Sequence, residues 1–282
     1  MGVFKGSYKA LIVTSAVAFA SGAALAADIL PPPPPIAAPI AVAAEFSGWY
    51  LRGDVGAGQN REEKFRSTFA PNFAVPGLQY DQASLSSHYI LGIGAGYQFN
   101  AWFRADVTAE YQGGARWKQV ESYTGACGAA NRCVDLYNGR ISSGVFLLNG
   151  YVDLGTWHGI TPYLGVGLGG AHNRVSAITD VGINTGGFGT GPAVAKTNFA
   201  WAVMAGAAVS ISPNTKLDFS YRYLDKGTVN GGAIQCQPAN VPCGFETHRI
   251  RLSSHDFRIG LRYMFADYAP APVMAPPLVR KY

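Results

Sequence analysis

Four kinds of residue in this 282-residue chain could carry chemistry: five histidines, four cysteines, a Ser-His-Asp run and two glycine strings. Ser254-His255-Asp256 places a hydroxyl, an imidazole and a carboxylate at consecutive positions, the groups of nucleophilic acyl transfer. A relay needs all three on one side of the chain. From His255 to Phe265 the sequence HDFRIGLRYMF alternates Phe257, Ile259, Leu261, Tyr263 and Phe265 with Asp256, Arg258, Gly260, Arg262 and Met264. That period is a strand signal, and neighbours on a strand point to opposite faces, so the relay does not assemble. GIGAG (92–96) and GVGLGG (165–170) imitate nucleotide-binding loops, but strand-like residues follow where such a loop requires a helix. Glycine is expected instead to face inward there, leaving room for large side chains of neighbouring strands. The cysteines fall as Cys127/Cys133 and Cys236/Cys243, each pair inside one connection. Three pairings are open, and a local bridge within each connection is the most economical. Zinc ligation is the rival, although no histidine stands at ligand spacing around Cys127.

The elements that position these residues are preceded by an export signal. Lys5 and Lys9 lead into the uncharged run LIVTSAVAFASGAALA, which ends in Ala24-Leu25-Ala26. This predicts a secretory signal peptide over 1–26, cut after Ala26, and a compartment oxidising enough for cysteines to pair. Residues 27–46 form a Pro/Ala-rich arm whose five consecutive prolines, Pro31 to Pro35, favour polyproline II and cannot enter a sheet interior. The last 17 residues, ADYAPAPVMAPPLVRKY (266–282), share that composition, and both segments are read as disordered periplasmic extensions. Without Lys5 and Lys9 the formal charge falls from +5 to +3, with 20 basic residues against 17 acidic ones. So weak and evenly spread a charge excludes a nucleic-acid partner.

Between Ser47 and Phe265 lie eight alternating segments, at 48–58, 88–99, 102–112, about 140–154, 161–173, 199–211, 216–224 and 255–265. One face carries residues such as Leu51, Val55, Leu91, Ile93, Val107, Val166 and Ile259. The other carries Arg52, Asp54, Arg104, Asp106, Glu110, Lys216, Asp218, Arg222, Arg258 and Arg262. FAWAVMAGAAVSI (199–211) also fits a helix by composition. Its thirteen residues fall short of the roughly 20 that a membrane-crossing helix needs, and Ser212-Pro213-Asn214 ends it as a turn. Connections alternate between short (100–101, 155–160, 212–214) and long (59–87, 113–139, 174–197, 225–250), the signature of a transmembrane β-barrel. Aromatics gather at two levels: Trp49, Phe99, Trp102, Phe103, Trp157, Tyr163 and Phe265 at one, Tyr89, Tyr111, Phe199, Trp201 and Phe257 at the other. A soluble barrel with an apolar ligand cavity has the same period, but here the bulky residues oppose the charged ones, as lipid requires. Eight strands leave an interior just wide enough for side chains, so the inward charges are expected to pair into a plug.

Three stretches, FSGWYLRGDVGAG, GYQFNAWFRADVTAEY and SSHDFRIGLRYMF, resemble the small OmpA-like outer-membrane β-barrel proteins of alphaproteobacteria, a likeness spanning residues 46–265. The resemblance implies an all-β, eight-stranded antiparallel up-and-down barrel (47–265) in a Gram-negative outer membrane, with both termini in the periplasm. It implies transient partners in periplasmic chaperones and the outer-membrane assembly machinery. Arg258, Gly260, Tyr263 and Phe265 fit that machinery's polar-x-Gly-x-x-apolar-x-aromatic signal, which normally closes a chain but here precedes the tail. The tail is too short for a peptidoglycan-binding domain. No cofactor, resident metal or enzymatic activity is implied. Lipid A deacylases of this size resemble a His-x-Ser pair, and His88, His158, His172, His248 and His255 each lack the serine. The expected role is structural, in envelope integrity and surface contact, with lipopolysaccharide as the outer-leaflet contact and a small diffusion porin as the alternative.

Overall fold

The computed structural model describes residues 47–61, 66–68, 76–124, 132–237 and 246–265, with the side chains of 66–68 and 236–237 excepted. The leader, the proline arm, the tail, Cys127 and Cys243 therefore lie outside the described residues. The chain forms β1 (Gly48–Asn60), β2 (Arg66–Thr68), β3 (Gln79–Leu85), β4 (His88–Gln98), β5 (Phe103–Tyr123), β6 (Cys133–Asp153) and β7 (Ile160–Val175). It continues through β8 (Ile178–Gly182), β9 (Phe188–Gly191), β10 (Val194–Ser210), β11 (Thr215–Asn230), β12 (Gln235–Gln237) and β13 (Thr247–Met264). Strands β1, β4, β5, β6, β7, β10, β11 and β13 pair antiparallel, each with the next, and β13 returns to β1 from Tyr50↔Met264 to Asn60↔Ser254. The result is a closed ring of eight strands. Closure removes the unpaired edges that an open sheet exposes.

Period two decides which side each residue takes. Leu51, Ile93, Val107, Leu148, Val166, Val203 and Ile259 all lie outward and exposed, in a continuous apolar band around the ring. The helix-compatible stretch 199–211 is strand as expected: Phe199, Trp201 and Val203 face out while Ala200, Ala202 and Met204 are buried. Tight turns close one rim. Asn100 Oδ1 accepts the N–H groups of Trp102 at 3.0 Å and Phe103 at 2.7 Å, fixing the β4–β5 turn from a side chain. Trp157 and Ile160 exchange backbone bonds across His158 and Gly159, whose φ of 51° and 80° suit a two-residue hairpin turn.

The opposite end corrects the sequence reading. The stretches expected as long loops are largely strand. β5 and β6 stay paired as far as Tyr123↔Cys133, and at 21 residues each they are about twice as long as a crossing requires. Gly113-Gly114 and Lys226-Gly227, which look like loop starts, are bulges. Register shifts between Gln112 and Ala115 and between Asp225 and Thr228, with φ of 86° at Gly114 and 75° at Gly227. A single extra residue is absorbed and the strand runs on. β3 adds to β5, β8 to β6, β9 to β8, and β12 to β9, so the barrel wall extends well past the apolar band.

The interior is not uniformly charged. On the β6–β7–β10 side it is apolar, with Val145, Leu147, Tyr151, Tyr163, Ala171 and Met204 in one cluster. Tyr163 is thus corrected: it is buried in the lumen rather than in the outer aromatic belt, because Leu164 takes the outward position beside it. Inside the extension a second cluster, built on Trp117, Tyr137, Ile141, Ile178, Ile250 and Leu252, caps the charged layer.

Candidate functional site

The charged layer is positioned by inward alternation on β1, β5, β11 and β13. Glu110 on β5 accepts two bonds from Arg222 on β11, at 2.9 and 2.7 Å, and a third from Arg258 on β13 at 2.8 Å. Arg222 also donates to Asp256, at 2.7 and 3.0 Å. β5 and β11 are separated by β4, β1 and β13, which on a ring of eight makes them diametrically opposite. The Glu110–Arg222 fork therefore spans the lumen from wall to wall. Lys226 Nζ repeats the crossing one layer up, donating to Gln112 Oε1 at 2.8 Å.

Toward the short-turn rim, Arg52 holds Asp54 at 2.7 Å and Asp106 at 3.0 Å, and also donates to the Tyr151 hydroxyl at 3.0 Å. Arg104 pairs with Asp153 at 3.1 Å and lies over the rings of Tyr151 and Tyr163, 4.0 and 4.5 Å from their centroids. Arg262 reaches Asp218 at 3.3 Å. All these charges are buried, and each carboxylate has a guanidinium partner, the condition under which buried ions are tolerated. Inward glycines make the space. A Cβ on Gly96 would stand 2.5 Å from the Tyr50 ring and from Asp106, one on Gly92 would press on Glu110, and one on Gly260 would collide with Asp54.

Of the ten charged residues expected in the lumen, nine are buried there. Lys216 is half-exposed near the short-turn rim, opposite Arg262 in register. Asp153, Lys226, His88 and Asp256 belong to the layer but were missed. Asp153 sits on the segment whose faces are hard to read, and Lys226 falls where a loop was expected. Asp256 has the right parity in its strand and could have been found. It faces His88 at 3.5 Å inside, while His255 lies on the outer wall with its Nδ1 2.6 Å from the Tyr221 hydroxyl. The Ser-His-Asp run is split between the two faces. In the assembly-signal stretch, Arg258 and Gly260 point inward, and Tyr263 and Phe265 meet edge to face outside, 5.3 Å apart. Cys133 is disulfide-bonded, to a partner whose side chain is outside the described residues.

Two further groups had no clear sequence signal. Above the crossing stretches, Glu121 and Glu246 face His248, while Asp135 stands across β5–β6 from Glu121 and Asp180 across β6–β8 from Tyr137. Burial, with Asp135 next in effect, pushes the carboxyls of Glu121 and Asp180 each up to about 8. On the outer wall just past the band, Arg116, Arg140 and Arg174 from three adjacent strands surround a cleft of about 400 Å³ with Tyr89 and Tyr111 beside it.

A closed antiparallel ring with an apolar outer band, aromatic belts and a side-chain-filled interior defines a small membrane-spanning β-barrel. Residues 13–265 match the family model described as outer membrane protein beta-barrel domain, and the chain belongs to that family of outer-membrane proteins. It is similar to an uncharacterized protein of Brucella abortus, 30% identical over 282 residues that cover 86% of this chain and 93% of the relative. A putative adhesin of Rickettsia rickettsii is 26% identical over 222 residues, 76% of this chain and 87% of the relative. Among solved structures, the outer membrane protein OprG of Pseudomonas aeruginosa is 14% identical with a TM-score of 0.44, covering 79% of this chain and 98% of that one. Neisserial surface protein A is 18% identical with a TM-score of 0.36, over 78% and 100%.

Proposed function

We propose that this barrel is closed to diffusion and works through its surface, as a structural and contact protein of the outer membrane. The observation that carries the reading is the Glu110–Arg222 fork, which joins opposite walls through two bonds of 2.9 and 2.7 Å. An ion entering the lumen would have to displace a bidentate, doubly buried pair that a third charge, Arg258, also holds. The apolar cluster around Trp117 then closes the path a second time.

The short-turn rim faces the periplasm in this reading, and the strand extension with its loops faces outward. That orientation sets the Arg116–Arg140–Arg174 cleft at the level of outer-leaflet headgroups, where lipopolysaccharide phosphates would meet three exposed guanidiniums. The disulfides are assigned locally, Cys127 with Cys133 at the start of β6 and Cys236 of β12 with Cys243, as guards against proteolysis. The adhesin name of the Rickettsia relatives supports a contact role for the outward end.

Planar-bilayer recording on the purified, detergent-folded chain tests the closure. The wild type is expected to show no stable unit conductance, and Glu110→Ala and Arg222→Ala combined with Trp117→Ala, which removes both closures, to show frequent openings. Stable channels from the wild type would instead make the protein a small diffusion porin.

A further inference from the structure

The cluster inside the extension has the composition and spacing of a metal site. His248 on β13 is fully buried, and neither ring nitrogen makes a hydrogen bond. Its Nε2 stands 3.4 Å from Glu121 Oε1 on β5 and 3.3 Å from Glu246 Oε1 just before β13. All three donor atoms lie within 4.8 Å of one another. A tetrahedral zinc with bonds of about 2.0–2.1 Å holds its ligand atoms roughly 3.3–3.4 Å apart, which both separations from His248 Nε2 match.

The surroundings hold these donors in place. The His248 ring is wedged between Trp117 and Tyr137, with centroids 5.1 and 4.5 Å away, so its plane is fixed by packing. Tyr137 donates to Glu246 Oε2 at 3.0 Å, leaving Oε1 turned toward the imidazole, and Gln119 donates to Glu121 Oε1, an oxygen with a second lone pair. Such supporting bonds to ligand groups are what orient a metal's protein donors. Asp135 lies directly across β5–β6 from Glu121, and Asp180 across β6–β8 from Tyr137. Both are half-exposed, and the Asp180 Oδ1 is buried without a hydrogen bond. Among the described residues, neither Glu121 nor Asp180 forms an ion pair with a lysine or arginine. The charged layer below balances its carboxylates with guanidiniums, whereas here Glu121 and Glu246 both face an imidazole.

The geometry points to a divalent-cation site of the zinc class, held by Glu121, Glu246 and His248, with water completing the shell. Imidazole among the donors favours zinc over magnesium or calcium. The ion would tie β5 to β13 inside the extension, independently of whether the lumen below conducts.

The test is calorimetric titration of zinc sulfate into the full chain, folded in detergent and stripped with a chelator. One equivalent is expected to bind, with equimolar magnesium and calcium failing to compete. Glu121→Gln, Glu246→Gln and His248→Ala should each weaken binding at least tenfold while unboiled samples keep their folded gel mobility. If His248→Ala does not fold, the two isosteric glutamine variants decide. No binding by the wild type overturns the site, and so does equal binding by wild type and variants, which would place the zinc on exposed histidines such as His158 and His172.

Discussion

Gly53 and Gly96 stand on opposite faces of the neighbouring strands β1 and β4, and a side chain should affect them in opposite ways. Nothing lies within 4 Å of a Cβ built on Gly53, which faces outward, whereas one on Gly96 would meet the Ala105 carbonyl, the Tyr50 ring and Asp106 at 2.5 Å. The atoms around Gly96 include backbone and a ring locked by its hydroxyl bond to Asp106 at 3.0 Å, so they have little freedom to yield. Gly96→Val is expected to destabilise by about 1–3 kcal/mol or more, the range for overpacking. Gly53→Ala should be neutral or stabilise by about 0.4–1 kcal/mol, since it only narrows the unfolded ensemble. Urea midpoints read from the fraction of unboiled protein at folded mobility check both, and equal midpoints would contradict the inward assignment of GIGAG.

At the scale of elements, the strands serve two structures stacked end to end. Below the bulges at Gly114 and Gly227 the ring has a lipid-facing exterior and a charged interior. Above them the β5–β6 exterior turns basic, with Arg116, Lys118 and Arg140 exposed, while the interior turns apolar around Trp117. On β5 the bulge decides which residues take each side, because one extra residue exchanges the faces of everything beyond it on that strand. Gln112 and Ala115 both point inward although three positions apart. If the two tiers are separate packing units, Trp117→Ala should remove about 3–5 kcal/mol from the upper one alone. Limited proteolysis would then cut the extension much faster than in the wild type, while heat-dependent gel mobility stays unchanged. Loss of that mobility would show that the tiers fold as one.

For the whole molecule, the outer wall and the lumen make separable contributions. The Arg116–Arg140–Arg174 cleft touches none of the cross-lumen pairs, so replacing all three arginines with serine should leave the barrel folded and closed. Binding to phosphorylated lipopolysaccharide in mixed micelles should fall by at least tenfold, and the remaining affinity should depend less on salt, as expected when guanidinium–phosphate contacts are lost. Dephosphorylated lipopolysaccharide should not distinguish the variant from the wild type. An undiminished affinity of the variant for the phosphorylated form would remove the cleft from the surface role.

Alternation by itself determined the ring. A period of two is local, so most crossing segments announce which of their faces meets the lumen, as those carrying Arg52, Asp106 and Ile259 do, and alternating turn lengths give the up-and-down order. The same rule placed nine of the ten expected charges inside. Tertiary structure decided what no local period encodes. Which guanidinium meets which carboxylate depends on strands facing each other across the lumen, and Glu110 and Arg222 are separated by 112 positions in sequence. Glycine at 114 and 227 marks a loop and a bulge equally well until a partner strand continues beside it. Glu121, Glu246 and His248 converge only because β5 and β13 rise together past the membrane band, a juxtaposition that ring closure alone creates.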